Sequence, residues 1–372
     1  MGSVTAVGQA TSLADRKRRA GQRMVIGLAG AGITAEERRL IELVRPAGFI
    51  LFARNVEGPE QVRELNRELA GLVDPHDPAL LTVDQEGGRV ARVRDPATEF
   101  PPMLALGQGD DVGLTEEVGH TMGVELRAMG FHVNFAPVAD VNSNPDNPVI
   151  GDRSFGDDPD RVARHVVAYA KGLQRAGVVA CAKHFPGHGD TGVDSHLALP
   201  VVDRPLDSLR ATELPPFAAA VAAGIGTVMS SHVMFPALDA TWPATLSPTI
   251  LPTLLRDELG FDGVVFSDDM EMKAVAGRWP VDAQVRQATE ASVDVLLCCK
   301  EPALQVAMFE ALVQLQEQSK AHEGASVTSV RRVEALRERF FLDAPRVPGL
   351  EQVGHPDHRL VAARARAQGG LS

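Results

Sequence analysis

Eight short runs rich in apolar and β-branched residues recur along the 372-residue chain, and a segment of helical character separates each from the next. The runs occupy 23–30, 47–53, 79–84, 132–141, 178–185, 226–233, 263–269 and 294–299. Helices are predicted over 35–45, 59–72, 112–129, 159–176, 208–223, 248–259, 282–292 and 302–318. Strands separated by helices pair through crossovers rather than hairpins, so the sheet is parallel and the connections right-handed. Asp157 and Asp158 ahead of Pro159 mark a helix start, while Gly177 and Gly224 fit helix ends just before the next strand. Eight such units predict an α/β fold, a single-domain (β/α)8 TIM-type barrel. The expected boundaries are a flexible N-terminus over 1–14, the barrel domain over 15–344 and a C-terminal tail over 345–372. An open doubly wound sheet is the competing fold, but the Gly-rich GLAGAG after the first strand has no acidic partner where dinucleotide binding needs one.

Charge and composition narrow the partners. With 37 Lys and Arg against 49 Asp and Glu the net charge is -12, the wrong sign for a phosphate backbone. The basic stretches RKRR at 16–19 and Arg331 to Arg339 read as solvated faces. No apolar run reaches membrane-spanning length, and the N-terminus has no secretory core. Two of the three cysteines, Cys298 and Cys299, are adjacent and Cys181 lies in a strand, so no disulfide framework is expected. The expectation is a cytoplasmic monomer that binds neither nucleic acid nor membrane.

In a barrel of this kind the C-terminal strand ends share one mouth. Here they carry Asp84, Asp140, Lys183 with His184, His232, and Asp268 with Asp269. A lone strand-end aspartate is more often a helix cap than a catalyst, and for Asp140 and Asp269 the two readings stay open on about equal terms. Zinc-assisted hydrolysis through Lys183, His184, His232 and Asp268 is one chemistry for this rim, but neither an HxH nor an HExxH pair is present. Glycoside cleavage is the other. It needs a carboxylate to attack a sugar carbon and a second group to protonate the leaving oxygen. Asp268 follows the rigid run GVVF, and Asp194-Ser195-His196 places a carboxylate where it can orient an imidazole.

The stretches KHFPGHGDTGVDSH (183–196), DQEGGRVARV (84–93), GDRSFG (151–156) and FSDDM (266–270) together resemble glycoside hydrolase family 3 in its single-domain, NagZ-type bacterial β-N-acetylglucosaminidases. The resemblance runs in order from about residue 20 to 300. It implies Asp268 as nucleophile, His196 as acid/base assisted by Asp194, and Asp84, Arg92, Arg153, Lys183 and His184 as ligands of the N-acetylglucosamine ring. Glu86 stands outside that catalytic pair, and Met270 replaces an expected leucine. The implied activity is a retaining exo-β-N-acetylglucosaminidase in cell-wall recycling, acting without metal or cofactor on N-acetylglucosamine-containing muropeptides or chitooligosaccharides. A phosphorylase on the same scaffold is the alternative, since phosphate in place of water would resolve the same intermediate.

Overall fold

The computed structural model describes residues 11–192, 199–342 and 344–370. Among them eight parallel strands close into a barrel in sequence order: β1 (Met24–Gly27), β2 (Gly48–Leu51), β3 (Leu80–Val83), β4 (Val133–Asn134), β5 (Val179–Phe185), β6 (Thr227–Ser230), β7 (Val264–Asp269) and β8 (Val295–Cys298). β8 pairs back onto β1 with Val25 opposite Leu297, so no edge remains for association. Each strand falls inside one of the apolar runs, and the expected (β/α)8 barrel is the architecture observed.

Alternation of side chains explains why the strands read as continuous apolar runs. Val25, Ile50, Leu80, Val179, Val264, Phe266, Val295 and Leu297 belong to a cluster inside the barrel. Their neighbours Met24, Ile26, Phe49, Leu51, Leu81, Val265 and Leu296 belong to a second cluster beneath the helices. Both faces of a parallel sheet are covered, so both select Val, Ile, Leu and Phe.

Six helices form where the pattern places them, at Ala35–Val44, Pro59–Ala70, Val112–Ala128, Pro159–Arg175, Val281–Glu290 and Pro302–Gln318. Two predicted helices differ. The stretch 208–223 is divided into Leu206–Thr212 and Leu214–Ala222, because Pro215 and Pro216 have no N–H to continue the first helix but fit the first turn of a second. The stretch 248–259 shortens to Leu251–Glu258 and winds as a wide π-helical coil.

Among the described residues the sequence pattern also leaves five helices unannounced, one of them the single turn Lys273–Ala276. Leu13–Gly21 starts at a Ser12–Asp15 capping box, and Met103–Gly109 precedes Val112–Ala128. Lys320–Phe341 crosses the N-terminal end of the barrel. Pro356–Gln368 lies within the stretch expected as a tail, burying Val361, Ala362 and Ala365 against Met103–Gly109 and Val112–Ala128. Its buried stripe consists mostly of alanine among arginines, too weak a periodic signal to stand out.

The basic stretches are internally neutralised. Arg16 pairs with Glu317, Arg18 with Asp77 and Arg19 with Glu323, while Arg332 reaches Asp262 and Asp294. Asp294 is the polar centre of the barrel's N-terminal end. Its Oδ2 accepts from Arg256 at 2.7 Å and from the amide of Val265 at 2.9 Å. Nearby, fully buried Arg23 donates to the carbonyls of Val293 and Asp294 and to Thr289 and Ser326. Cys181, Cys298 and Cys299 are buried free thiols.

Removing one partner of a buried charge pair leaves the other uncompensated, a loss of about 3–5 kcal/mol. Asp294→Ala is therefore expected to reduce unfolding free energy by about that amount in a urea titration. Asp268→Ala, at the opposite end, is expected to change it by less than about 1 kcal/mol.

Candidate active site

Alternation also decides which polar groups meet. Counting by twos up the inward rows from Leu80, Val179 and Val264 reaches Asp84, Lys183 and Asp268, one step past the last strand residues of the apolar interior. They line one pocket of about 270 Å³ at the C-terminal mouth, together with Glu86, Arg92, Arg153, His184 and His188. The pairing register shifts between Lys183 and Phe185 and again between Phe266 and Asp269. Such irregularities re-aim side chains. They let consecutive residues, Lys183 with His184 and Asp268 with Asp269, face the same space.

One wall is an ion network. Lys183 Nζ lies 2.8 Å from Asp84 Oδ1 and 2.6 Å from Glu86 Oε1. Arg153 grips Glu86 with two donors, at 2.9 and 2.8 Å, and Arg92 stands 3.6 Å from Asp84 with its guanidinium over the Phe52 ring. Burial by itself would raise the Glu86 carboxyl, but Arg153 and Lys183 outweigh it and hold the group well below the usual carboxylate range. Burial would likewise lower the Lys183 ammonium, and Asp84 and Glu86 hold it above its ordinary value. The wall therefore stays ionised and presents both donors and acceptors, the complement of a hydroxyl-bearing ring.

A second wall hangs on Asp140, which is fully buried and caps no helix. Its Oδ2 accepts from His184 Nδ1 at 2.7 Å, and its Oδ1 from the amides of His184 and His188 at 3.1 and 2.7 Å. A carboxylate on Nδ1 fixes the tautomer and leaves the Nε2 edge of His184 for the pocket. His188 bonds Thr191 Oγ1 at 2.8 Å; burial pushes its imidazole down to about 4, reinforced by His184, so it is neutral. Past this turn, an added Cβ at Gly189 would stand 1.6 Å from the Val141 carbonyl oxygen, an approach only glycine allows. Asp190 is clamped by Arg204 at 2.6 and 2.9 Å. These contacts pin both roots of the connection that carries Asp194 and His196. Those two residues lie outside the described residues.

Opposite, Asp268 Oδ1 accepts from the Asp269 amide at 2.8 Å. Burial pushes the Asp269 carboxyl up to about 7, helped by the charges of Glu271 and Asp268, while its Oδ1 accepts from the Glu271 amide. His232 is buried behind them, bonded to the Asp269 carbonyl oxygen at 3.0 Å and to Thr245 at 3.0 Å, and does not line the pocket. Trp242 packs on Trp279 with ring centroids 5.3 Å apart, covering the barrel rim. Among the described residues no group of three or more His, Cys, Asp or Glu converges as metal ligands would.

Sequence reasoning left Glu86 aside and read Asp140 as a cap or a catalyst. Glu86 joins two cations, and Asp140 orients the β5 histidine. Their spacing of 67 and 44 residues from these partners gives no local signal, although a carboxylate three residues past the end of β3 in a basic motif was a clue for Glu86.

The folded Glu86 value lies below the unfolded one, so its stabilisation is fully present above the unfolded carboxylate value of about 4.3 and fades as pH falls below it. Glu86→Gln is expected to lose about 3 kcal/mol or more at neutral pH, with the gap to wild type narrowing toward about pH 3, read from urea titrations at several pH values.

Comparison with known proteins agrees with this geometry. The model of the glycosyl hydrolase family 3 N-terminal domain matches residues 18–336. A β-hexosaminidase of Methylococcus capsulatus is 39% identical over 319 residues, covering 85% of this chain and 92% of the relative. One from Neisseria meningitidis serogroup C is 40% identical over 74% of this chain and 78% of its own. Among solved structures, a family 3 β-N-acetylglucosaminidase from a Paenibacillus species superposes with a TM-score of 0.91 at 39% identity, covering 97% of this chain and 69% of that one. NagZ from Neisseria gonorrhoeae, in complex with N-trifluoroacetyl-D-glucosamine, superposes with a TM-score of 0.70 at 34% identity, over 84% of this chain and 98% of that one. With sequence identity of this extent over the same fold, the chain belongs to glycosyl hydrolase family 3, among its β-hexosaminidases.

Proposed function

We propose that the protein is a retaining exo-β-N-acetylglucosaminidase that works through a glycosyl-aspartate. The observation that carries this reading is the position of Asp268 on the inward row of β7, across the pocket from an ionised, hydrogen-bonding wall. At about 270 Å³ the pocket is at the small end of ligand sites, suited to one terminal sugar ring rather than to the middle of a chain. Asp84, Arg92, Arg153, Lys183 and His184 bind the ring hydroxyls and fix the anomeric carbon over Asp268.

In the first step an Asp268 oxygen bonds to the anomeric carbon as the glycosidic bond breaks. His196, protonated and oriented by Asp194, gives its proton to the departing oxygen. In the second step His196 takes a proton from water, the water oxygen bonds to the anomeric carbon, and the Asp268 ester bond breaks. Two inversions leave the original configuration. The pinned loop roots, with His188 on the pocket wall and Asp190 held by Arg204, support this placement of the acid/base. The substrates are muropeptide or chitooligosaccharide fragments with a non-reducing N-acetylglucosamine, consumed in cell-wall recycling. The enzyme is a cytoplasmic monomer that uses no metal or cofactor.

Proton donation matters most when the leaving group is poor. His196→Ala is therefore expected to lower kcat by about 10²–10⁴-fold on a disaccharide but by far less on a dinitrophenyl glycoside. Equal losses on both would remove His196 from the acid role. Phosphate added to the assay is expected to leave the product as free N-acetylglucosamine; a sugar phosphate would establish the phosphorylase alternative instead.

A further inference from the structure

Beneath the β5 turn sits an acid that the reaction scheme does not use. Glu213 is 1% exposed and stands between helices Leu206–Thr212 and Leu214–Ala222, yet its side chain caps neither. It reaches instead toward Gly187, in the middle of the turn between His184 and His188. A Cβ added at Gly187, whose φ is +145°, would meet Glu213 Oε2 at 2.6 Å. Glu213 therefore fills the space under the turn that Asp140 suspends from above through the His184 and His188 amides.

Its polar surroundings do not suit an anion. Ser143 Oγ donates to Oε1 at 3.2 Å, a long bond, and Oε2 has no hydrogen-bond partner among the described residues. The charges bearing on it are Asp140 from the β4 side and Asp190 with its partner Arg204 from the loop roots. Two of those three are negative, and Arg204 is already committed to Asp190. Burial pushes the Glu213 carboxyl up to about 8, with Asp140 and Asp190 acting in the same direction against Ser143 and Arg204.

We infer that Glu213, as an uncharged carboxylic acid, is a positioning residue for hydrolysis: it seats the turn that holds His184 over the sugar, and loss of its proton unseats that turn. The inference uses the β-hexosaminidase activity of the family and not the roles of Asp194 and His196. Asp269, the other carboxyl that titrates near neutrality, lies across the pocket and is unchanged by the variants below.

The test is the pH profile of kcat/KM on an aryl N-acetyl-β-glucosaminide for the full chain, wild type, Glu213→Gln and Ser143→Ala. A requirement for the protonated acid costs wild type about tenfold between about pH 7 and pH 9, on one pKa unit per factor of ten. Glu213→Gln keeps a neutral side chain of the same shape, so its pH 9 to pH 7 activity ratio is expected to exceed that of wild type several-fold. Ser143→Ala removes a bond that favours the anion, so its alkaline limb is expected to move to higher pH, which provides a readout even if the glutamine variant folds poorly. Alkaline limbs that coincide in all folded proteins would overturn the inference. So would a Glu213→Gln loss that is uniform across pH, the mark of a purely structural role.

Discussion

Every second side chain of a closed parallel barrel points into an interior that water does not reach, and this constraint organises the whole molecule. Along most of each strand the inward position must be apolar, as Val25, Ile50, Val264 and Phe266 are. At the C-terminal mouth the same row can turn polar, but only where the polar groups satisfy one another. Asp84, Lys183 and Asp268 are the next residues on those rows, so the geometry that packs the core also delivers the chemistry to one pocket.

The charges of the pocket are divided into unlike halves. Around Lys183 the wall is dense in counter-charge, and Glu86 between Lys183 and Arg153 stays an anion despite its burial. Across the pocket burial dominates at Asp269, which holds its proton to about 7. A wall that stays ionised keeps its donors and acceptors in place at any working pH, which suits a ring-binding surface. Buried ions at both ends of the barrel, Asp294 below and Glu86 above, depend on such pairing.

Much of this was legible in the sequence. The eight strands stood out because a two-faced parallel strand leaves an uninterrupted apolar run, and the turn to Asp84, Lys183 and Asp268 marks where each run meets solvent. Proline chemistry divided one helix at Glu213, a local effect overlooked in favour of the longer pattern. The helix Pro356–Gln368 was missed because its buried stripe, Val361, Ala362 and Ala365, is small. What no local pattern reveals is a partnership across the barrel: Glu86 with Arg153, Asp140 with His184 and Glu213 with the β5 turn join distant positions, and the closed sheet alone brings them together. The resemblance in the loop motif marked Asp194 and His196, which lie outside the described residues.

The central claim is that the Asp268 carboxylate forms a bond to the anomeric carbon. The most direct measurement is incubation with a 5-fluoro N-acetylglucosaminyl fluoride, which slows release of the intermediate, followed by peptide mapping by mass spectrometry. The account predicts one added sugar per chain, carried on the peptide containing Asp268. A label on any other side chain, or substrate turnover with no trapped species, would contradict it.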